Sequence, residues 1–249
     1  MKIAILADIH GNLPAFQAVL AEIDKHQPDK ILCGGDVITK GPHPAECLAL
    51  LRSRSIQAII GNTDVRALKQ SGAMESWNYD RLTADAIAYL RALPTMIRIT
   101  PPNGRSPEDD LLLVHSTPRD VDDILVLEPH PIKQAGTFGA ATAEDEAIDM
   151  LAGERANLIV YGHIHYISHG SVAGQPVSSI GAVGFPFDGD TRAAYGLAEW
   201  DGDNWQLEHF RVDYDRQRVQ QDVLDSDMPN KERYVKMLET ALWVPYSGF

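Results

Sequence analysis

Residues 2–61 decide the fold, and they begin at Lys2 with the run KIAILADIHGNLPAFQAVLAEIDKHQPDKILCGGD. Unbroken apolar runs alternate here with segments in which apolar residues recur at helical spacing, and Asn12 precedes the first such segment as an N-cap. The predicted elements are strands at 2–7, 30–34 and 56–60 and helices at 14–25 and 44–54. This order of strands and helices predicts a parallel sheet.

The rest of the chain is less regular. No internal repeat or linker interrupts it, so residues 1–249 are predicted to form one domain. Residues 116–139 are rich in turns, and antiparallel strands follow later, including a hairpin whose turn carries Asp201 and Gly202. The tail at 215–242 is mostly helical with a break near its middle, and its apolar face packs either on this chain's own core or on a second subunit of a homo-oligomer. The other predicted elements are strands at 96–99, 111–114 and 158–161 and helices at 81–93 and 142–151.

Composition narrows the classes of partner. Lys and Arg total 22 and Asp and Glu total 35, so the formal net charge is −13. This charge disfavours long nucleic acid and anionic membranes, because both are polyanions. No run approaches the ~20 apolar residues of a membrane span, and Asp8 interrupts the first apolar run, which therefore predicts a strand and not a signal peptide. Two cysteines are too few for a disulfide framework, so a cytoplasmic location is expected.

Metal-binding side chains follow five of the predicted strands, at the point where each strand ends. Taken singly, each has an ordinary structural explanation, such as a turn, a helix cap or a buried histidine. Taken together, they favour one site, because ligands bind at the carboxyl edge of an α/β sheet. Mixed imidazole and oxygen ligands favour Mn, Fe, Zn, Co or Ni over Mg or Ca. The residues are Asp8, His10, Asp36, Asn62, His115, His163 and His165.

Five motifs in this order resemble those of the calcineurin-like metallophosphoesterase family. They are Asp-x-His at 8–10, Gly-Asp at 35–36, Gly-Asn at 61–62, His115, and Gly-His-x-His at 162–165. Residues 179–190 extend the likeness, because they resemble the glycine-rich return segment of a small bacterial phosphodiesterase-like branch. The resemblance implies an α/β fold in which two mixed sheets pack as a β-sandwich flanked by helices, in four αββα layers.

The resemblance also implies a site for two divalent transition-metal ions, with Mn as the first choice in assays. A water between the two ions would lose a proton near neutral pH and attack phosphorus, so no protein nucleophile would be needed. The ions would also supply the local positive charge that a phosphate needs in a chain of net charge −13. The implied catalytic residues are Asp36, Asn62 and His115. Asp8, His10 and His165 would hold one ion, Asn62, His115 and His163 the other, and Asp36 would bridge them.

Two positions depart from the family's pattern. Many members carry His after Gly-Asn, where it protonates the leaving group or binds the phosphate, whereas this chain has Thr63. Thr63 either contacts substrate or caps a helix at 64–70. The protein phosphatases carry Arg where this chain has Lys40, which either reaches a phosphate oxygen as a point charge or is a solvated loop lysine. The sequence leaves both pairs of alternatives open.

The predicted function is hydrolysis of small phosphate esters, with phosphodiesters preferred. Thr63 does not titrate near pH 7, so leaving groups that need protonation are expected to react poorly. A phosphomonoesterase and a nucleotide pyrophosphohydrolase are the alternative enzymes. A non-catalytic scaffold, such as the retromer subunit of this fold, is disfavoured because all seven ligand positions hold competent side chains. Elsewhere, His130 is predicted to be an exposed loop residue or part of a lid, and residues 120–123 a solvated acidic face.

Overall fold

A computed structural model describes residues 1–133 and 138–245. Residues 134–137 of the predicted turn-rich stretch lie outside the described residues. The described part contains ten strands and eight α-helices. The strands are β1 (Lys2–Leu6), β2 (Lys30–Cys33), β3 (Gln57–Ala58), β4 (Met96–Ile99), β5 (Leu111–Val114), β6 (Leu158–Tyr161), β7 (Ile167–Val172), β8 (Gln175–Ile180), β9 (Ala193–Trp200) and β10 (Trp205–Val212). The helices are α1 (Leu13–His26), α2 (Pro44–Ser53), α3 (Asn62–Leu68), α4 (Ala73–Tyr79), α5 (Ala84–Arg91), α6 (Glu144–Met150), α7 (Arg216–Asp225) and α8 (Lys231–Thr240).

The strands form two mixed sheets of five strands each. In the first sheet the order is β10-β9-β1-β2-β3, and β1, β2 and β3 run parallel. In the second sheet the order is β4-β5-β6-β8-β7, and β5, β6 and β8 run parallel. The parallel pairing predicted for residues 2–61 is confirmed, with Leu6 opposite Cys33. The predicted hairpin is also present, because β9 and β10 pair antiparallel with Trp200 opposite Trp205.

Apolar side chains fill the space between the two sheets and cover both outer faces. Ile5 of β1 and Leu113 of β5 belong to the cluster between the sheets, and both are fully buried. Phe16 of α1 packs on the outer face of the first sheet, and Met150 of α6 packs on the outer face of the second. Each such side chain contributes ~1.5–3 kcal/mol relative to exposure. The predicted sandwich of two mixed sheets flanked by helices is confirmed.

The turn after β3 differs from the predicted one. β3 covers only Gln57–Ala58, so it is shorter than expected. Ile60 donates its backbone N–H to Pro94 O at 2.9 Å, which takes the chain out of the sheet. Gly35 then meets Gly61 so closely that a Cβ at Gly35 would lie 2.6 Å from Gly61 N. Glycine at this position allows the turns after β2 and β3 to touch.

The tail folds back onto the chain as α7 and α8, with the predicted break at residues 226–230. Tyr234 and Met237 of α8 pack with Phe185 and Val219 in one apolar cluster. Of the two alternatives for the tail's apolar face, packing on the chain's own core is confirmed. Among the helices of the described residues, none combines the length and apolar character that crossing a membrane requires.

Candidate metal centre

The seven predicted ligands lie at the edge of the sandwich where β1, β2, β3, β5 and β6 end. One atom links the two halves of the set: Asp36 Oδ2 is 3.5 Å from His10 Nε2 and 3.6 Å from His115 Nε2. These three side chains are almost completely buried. We call the whole set the ligand cluster: Asp8, His10, Asp36, Asn62, His115, His163 and His165.

One half of the ligand cluster contains Asp8, His10 and His165. Asp8 Oδ1 is 3.7 Å from His10 Nε2 and 3.5 Å from His165 Nε2, and the two Nε2 atoms are 3.1 Å apart. Among the described residues Asp8 Oδ1 finds no hydrogen-bond partner although it is buried. A buried carboxylate oxygen is costly unless hydrogen bonds or a cation compensate it. One carboxylate and two imidazoles that converge in this way fit a divalent transition metal.

The other half contains Asn62, His115 and His163. Asn62 Oδ1 is 3.2 Å from His115 Nε2, and the rings of His115 and His163 are 5.1 Å apart between centroids. Asp8, Asp36 and His115 also form a set whose ligand atoms all lie within 4.8 Å of one another. Asn62 and His163 are outside both sets, and the metal-binding role of all seven residues stays a prediction.

Backbone carbonyls orient three of the histidines. A carbonyl oxygen only accepts, so Nδ1 of each ring carries the proton and donates. In the neutral form of each ring the lone pair is then on Nε2, which faces the cluster, and this is the form in which imidazole binds a metal. The acceptors of His10, His115 and His165 are Ile38 O at 3.3 Å, Gly34 O at 2.8 Å and Phe185 O, respectively.

The ligand cluster also has an unusual backbone. Five of its seven residues have positive φ, which residues other than glycine rarely adopt. Hydrogen bonds between the turns hold this backbone in place: Asp8 N donates to Gly35 O at 3.0 Å, and His10 N to Asp36 O at 2.9 Å. Such strained residues cluster at functional sites and persist where the surroundings determine them. The five φ values are 55° for Asp8, 48° for His10, 54° for Asp36, 64° for His163 and 62° for His165.

Asp64 organises the turn that carries Asp36, and sequence reasoning missed this role. Its buried carboxylate accepts backbone N–H groups from Asp36 at 2.8 Å, Val37 at 3.1 Å, Ile38 at 3.2 Å and Gly61 at 3.1 Å. Burial raises the pKa of Asp64 to about 7, and these N–H groups oppose the rise. The sequence signal, an acidic residue in the first turn of a helix, is common and does not reveal these contacts.

Thr63 is not the N-cap of the following helix, so that alternative is wrong. Helix α3 begins at Asn62, and Gly61 precedes it with extended backbone at φ −99° and ψ 169°. Thr63 N donates to Asp36 Oδ1 at 2.9 Å, which draws the first turn toward the ligand cluster. The Thr63 hydroxyl accepts from Thr39 Oγ1 at 2.8 Å and lines the cavity beside the cluster.

Lys40 points into the ligand cluster, so the alternative of a solvated loop lysine is also wrong. The residue is half-buried, and its Nζ lies 2.7 Å from His10 Nε2. Burial lowers the pKa of Lys40 to about 8, against the opposing effect of Asp36 and Asp8. An ammonium group in this place can reach an oxygen of a phosphate bound at the cluster.

Burial governs the protonation of the ligand cluster. It lowers the pKa of His163 to about 3, and it lowers the pKa values of His10 and His165 well below their usual range. Burial alone would raise the pKa of Asp36, but neighbouring charges, His115 first among them, lower it. The imidazoles of His10, His163 and His165 are therefore neutral near an anionic Asp36 carboxylate.

Asp122, in the loop after β5, positions Asn62. Its Oδ1 accepts from Asn62 Nδ2 at 2.8 Å and also from Arg66. Because the amide nitrogen is engaged in this way, the amide oxygen faces His115. The acidic stretch at 120–123 is therefore more than the predicted solvated face, although the Asp122 side chain is 49% exposed.

A cavity of about 410 Å³ opens beside the ligand cluster, within the size range of small-molecule sites. Asp36, Asn62, His163 and His165 line it from the cluster. His130 lines it as well, but as a buried residue whose Nε2 lies 2.6 Å from the backbone oxygen of the Phe187–Asp188 bond. The predicted exposed position of His130 is wrong.

The match to a protein family covers every residue of the ligand cluster. The sequence model of the calcineurin-like phosphoesterase family matches residues 1–166. This chain therefore belongs to the calcineurin-like phosphoesterase family, a family of metal-dependent hydrolases. The family predicted from the five motifs is confirmed.

Individual relatives match to different extents. The uncharacterized protein MJ0912 from Methanocaldococcus jannaschii is 26% identical over 237 residues, which are 91% of this chain and 93% of that protein. The crystal structure of a metallophosphoesterase from Sphaerobacter thermophilus has a TM-score of 0.74 at 25% identity and covers 97% of this chain and 100% of that one. The symmetrical bis(5'-nucleosyl)-tetraphosphatase of Yersinia enterocolitica is 25% identical over 157 residues, which are 56% of this chain and 54% of that protein.

Proposed function

We propose that this chain is a phosphoesterase that holds two divalent cations at the ligand cluster and prefers phosphodiesters. The position of Asp36 carries the proposal, because one carboxylate oxygen lies 3.5 Å from His10 Nε2 and 3.6 Å from His115 Nε2. A carboxylate between two groups of ligands suits a pair of cations roughly 3.5–4 Å apart. Family membership supports the general reaction, and this geometry supports its two-cation form.

Each half of the ligand cluster would hold one cation. When bound, two divalent cations supply Lewis-acid activation of a water and neutralise charge on the transferring phosphate. The mixture of imidazole and oxygen donors favours Mn, Fe, Zn, Co or Ni, and Mn is the first to test. Asp8, His10 and His165 would hold one cation, Asn62, His115 and His163 the other, with Asp36 between them.

Lys40 and Thr63 are the proposed substrate contacts. The Lys40 ammonium lies 2.7 Å from His10 Nε2, the atom that would bind a cation. With a cation there, the ammonium would instead donate to a non-bridging phosphate oxygen as a point charge. The Thr63 hydroxyl accepts from Thr39 at 2.8 Å, so its own proton is left to donate to a second oxygen. The two side chains thus orient the ester while Asp36, Asn62 and His115 hold the reacting centre.

Thr63 also supports the preference for phosphodiesters with stabilised leaving groups. Its hydroxyl does not titrate near neutral pH, so it cannot give a proton to a departing alkoxide. The net charge of −13 further favours a singly charged diester over a dianionic monoester. The same charge disfavours long nucleic acid, which leaves a small phosphate ester as the proposed substrate.

Metal removal and reconstitution test this proposal. Metal-free protein is loaded with Mn, and hydrolysis of bis(p-nitrophenyl) phosphate is compared with that of p-nitrophenyl phosphate, which has the same leaving group. We expect metal-dependent release of p-nitrophenolate, with the higher kcat/KM for the diester. Equal kcat/KM values would contradict the diester preference. No turnover of either ester with Mn, Fe, Zn, Co or Ni would contradict the proposed phosphoesterase activity and favour a non-catalytic scaffold.

The likeness to the Yersinia tetraphosphatase favours a second candidate, hydrolysis of a nucleotide phosphoanhydride. That alignment covers 56% of this chain. Diadenosine tetraphosphate in the same assay, with nucleotide products separated by chromatography, distinguishes the candidates. A kcat/KM above that for the diester would favour the pyrophosphohydrolase.

A further inference from the structure

Four aromatic side chains line the cavity together with the ligand cluster. We call them the aromatic wall: Phe138, Phe187, Tyr234 and Trp243. They come from three separate parts of the chain, namely the loop before α6, the segment after β8, and α8 with the residues that follow it. Neither the binding of cations nor the hydrolysis of a phosphate ester requires an aromatic surface. The aromatic wall therefore has a function that the ligand cluster does not explain.

The aromatic wall begins at the ligand cluster itself. The ring of Phe187 stacks on His165, with centroids 4.3 Å apart and planes 4° from parallel. Trp243 meets Phe187 edge to face at 5.5 Å between centroids. The indole therefore lies two ring contacts from a ligand, and a group esterified to a phosphate at the cluster can reach it.

A cation extends this surface. The Arg233 guanidinium lies 4.5 Å from the centroid of the Trp243 ring, and its Nε donates to Val244 O at 2.6 Å. Arg233 lines the cavity, as do Lys40 and Arg66. A guanidinium on an indole forms a flat, positively charged surface that suits a planar ring attached to an anion.

The tail holds this side of the cavity in place. Tyr234 and Met237 are buried against Phe185 in the apolar cluster between α8 and the segment after β8. Gly189 N donates to Ala241 O at 2.9 Å, which ties that segment to the end of α8. The tail is therefore a structural part of the cavity.

We propose that the aromatic wall binds a planar aromatic group carried by the phosphate ester, and that Trp243 and Arg233 determine this specificity. The proposal rests on the proposed phosphoesterase function and adds the class of substrate. A cavity of about 410 Å³ has room for a phosphate and one such group. Stacking accepts any flat ring, so the preference is for aromatic over aliphatic groups and not for one particular base.

Three diesters that lack a nitrophenyl ring test the specificity as competitive inhibitors of bis(p-nitrophenyl) phosphate hydrolysis: dimethyl phosphate, methyl phenyl phosphate and thymidine 5'-methyl phosphate. We expect the inhibition constants for the Mn-loaded protein to be about tenfold lower for the phenyl and thymidine diesters than for dimethyl phosphate. The comparison of phenyl with thymidine shows whether a simple aryl ring or a nucleobase fits better. Equal inhibition constants for all three would overturn the proposal but leave the phosphoesterase function intact, whereas no turnover of bis(p-nitrophenyl) phosphate would contradict that function.

Substitutions of Trp243 test whether the aromatic wall causes the preference for aromatic groups. Trp243→Leu should reduce the aromatic preference about tenfold, and Trp243→Phe, which keeps a ring, should retain part of it. Trp77→Leu is the matched control. The Trp77 ring also stacks with an arginine, because the Arg81 guanidinium lies 3.6 Å from its centroid, and it packs against the same apolar cluster. Trp77 does not line the cavity. A loss of preference in Trp77→Leu equal to that in Trp243→Leu would overturn the assignment.

Binding to the unsubstituted protein gives a readout that does not depend on turnover or on folding of a variant. Calorimetric titration of the Mn-loaded protein compares adenosine 5'-monophosphate with ribose 5-phosphate, which differ by the base alone. We expect about tenfold tighter binding of the nucleotide. Equal affinities would overturn the proposal.

Discussion

The ligand cluster and the aromatic wall line the same cavity, but the chain builds them in different ways. Members of the cluster follow strand ends, and backbone groups fix them, as when Asp64 holds the turn of Asp36 through four N–H groups. Members of the wall come from distant segments, and side-chain packing fixes them, as when Phe187 stacks on His165. The chemistry should therefore depend on a backbone framework and the specificity on the tail.

The strongest way to break the cluster is Asp36→Asn. This substitution removes the negative charge that both halves of the cluster share. We therefore expect kcat/KM for bis(p-nitrophenyl) phosphate to fall on the order of 1000-fold. Substituting a residue that only supports a metal ligand costs less, roughly 10–100-fold. Metal content measured by mass spectrometry should fall as well. Asp145→Asn, an exposed change in α6, is the control and should behave as the unsubstituted protein. Normal activity in Asp36→Asn would contradict the assigned role.

Asp64→Asn tests whether the backbone framework carries the cluster. The amide would turn an NH₂ group toward backbone N–H donors, so we expect Mn affinity to fall about 100-fold and the free energy of unfolding to fall by about 2 kcal/mol. Metal titration and denaturant unfolding measure the two effects, again beside Asp145→Asn. Unchanged Mn affinity would show that the turn of Asp36 holds its shape without this carboxylate.

Asp122→Ala tests the positioning of Asn62 from a partly exposed residue. Asp122 orients Asn62 from a loop, so we expect Mn affinity to fall about tenfold, while the free energy of unfolding changes by less than ~0.5 kcal/mol. Comparison with Asp64→Asn then distinguishes a residue that only positions a metal ligand, which affects Mn affinity, from one that also stabilises the fold, which affects the free energy of unfolding. A loss of stability as large as that of Asp64→Asn would contradict a role confined to Asn62.

The smallest expected effect belongs to Thr63→His. A new imidazole beside the cluster can carry a positive charge, which attracts a dianionic monoester more strongly than a singly charged diester. The ratio of monoesterase to diesterase kcat/KM should therefore rise about threefold to tenfold. Paired assays with the two p-nitrophenyl esters measure the ratio. A ratio equal to that of the unsubstituted protein would remove Thr63 as the source of the diester preference.

The sequence predicts the ligand cluster better than its surroundings, and the reason is physical. Asp8 and His10 are readable because a strand places both at its end, so a local motif carries the spatial information. Asp122 acts on Asn62 across 60 residues of sequence, and no local pattern records such a contact. Trp243 shows only as an apolar residue near a helix, because its place in the cavity depends on how the tail folds back. The cytoplasmic location stays a prediction.

We propose that the ligand cluster holds two cations, with Asp36 between them. Crystals of the protein loaded with Mn, measured near the Mn absorption edge, test it directly through anomalous difference density. We expect two peaks roughly 3.5–4 Å apart, one beside Asp8, His10 and His165 and the other beside Asn62, His115 and His163. A single peak, or two peaks away from these side chains, would contradict it.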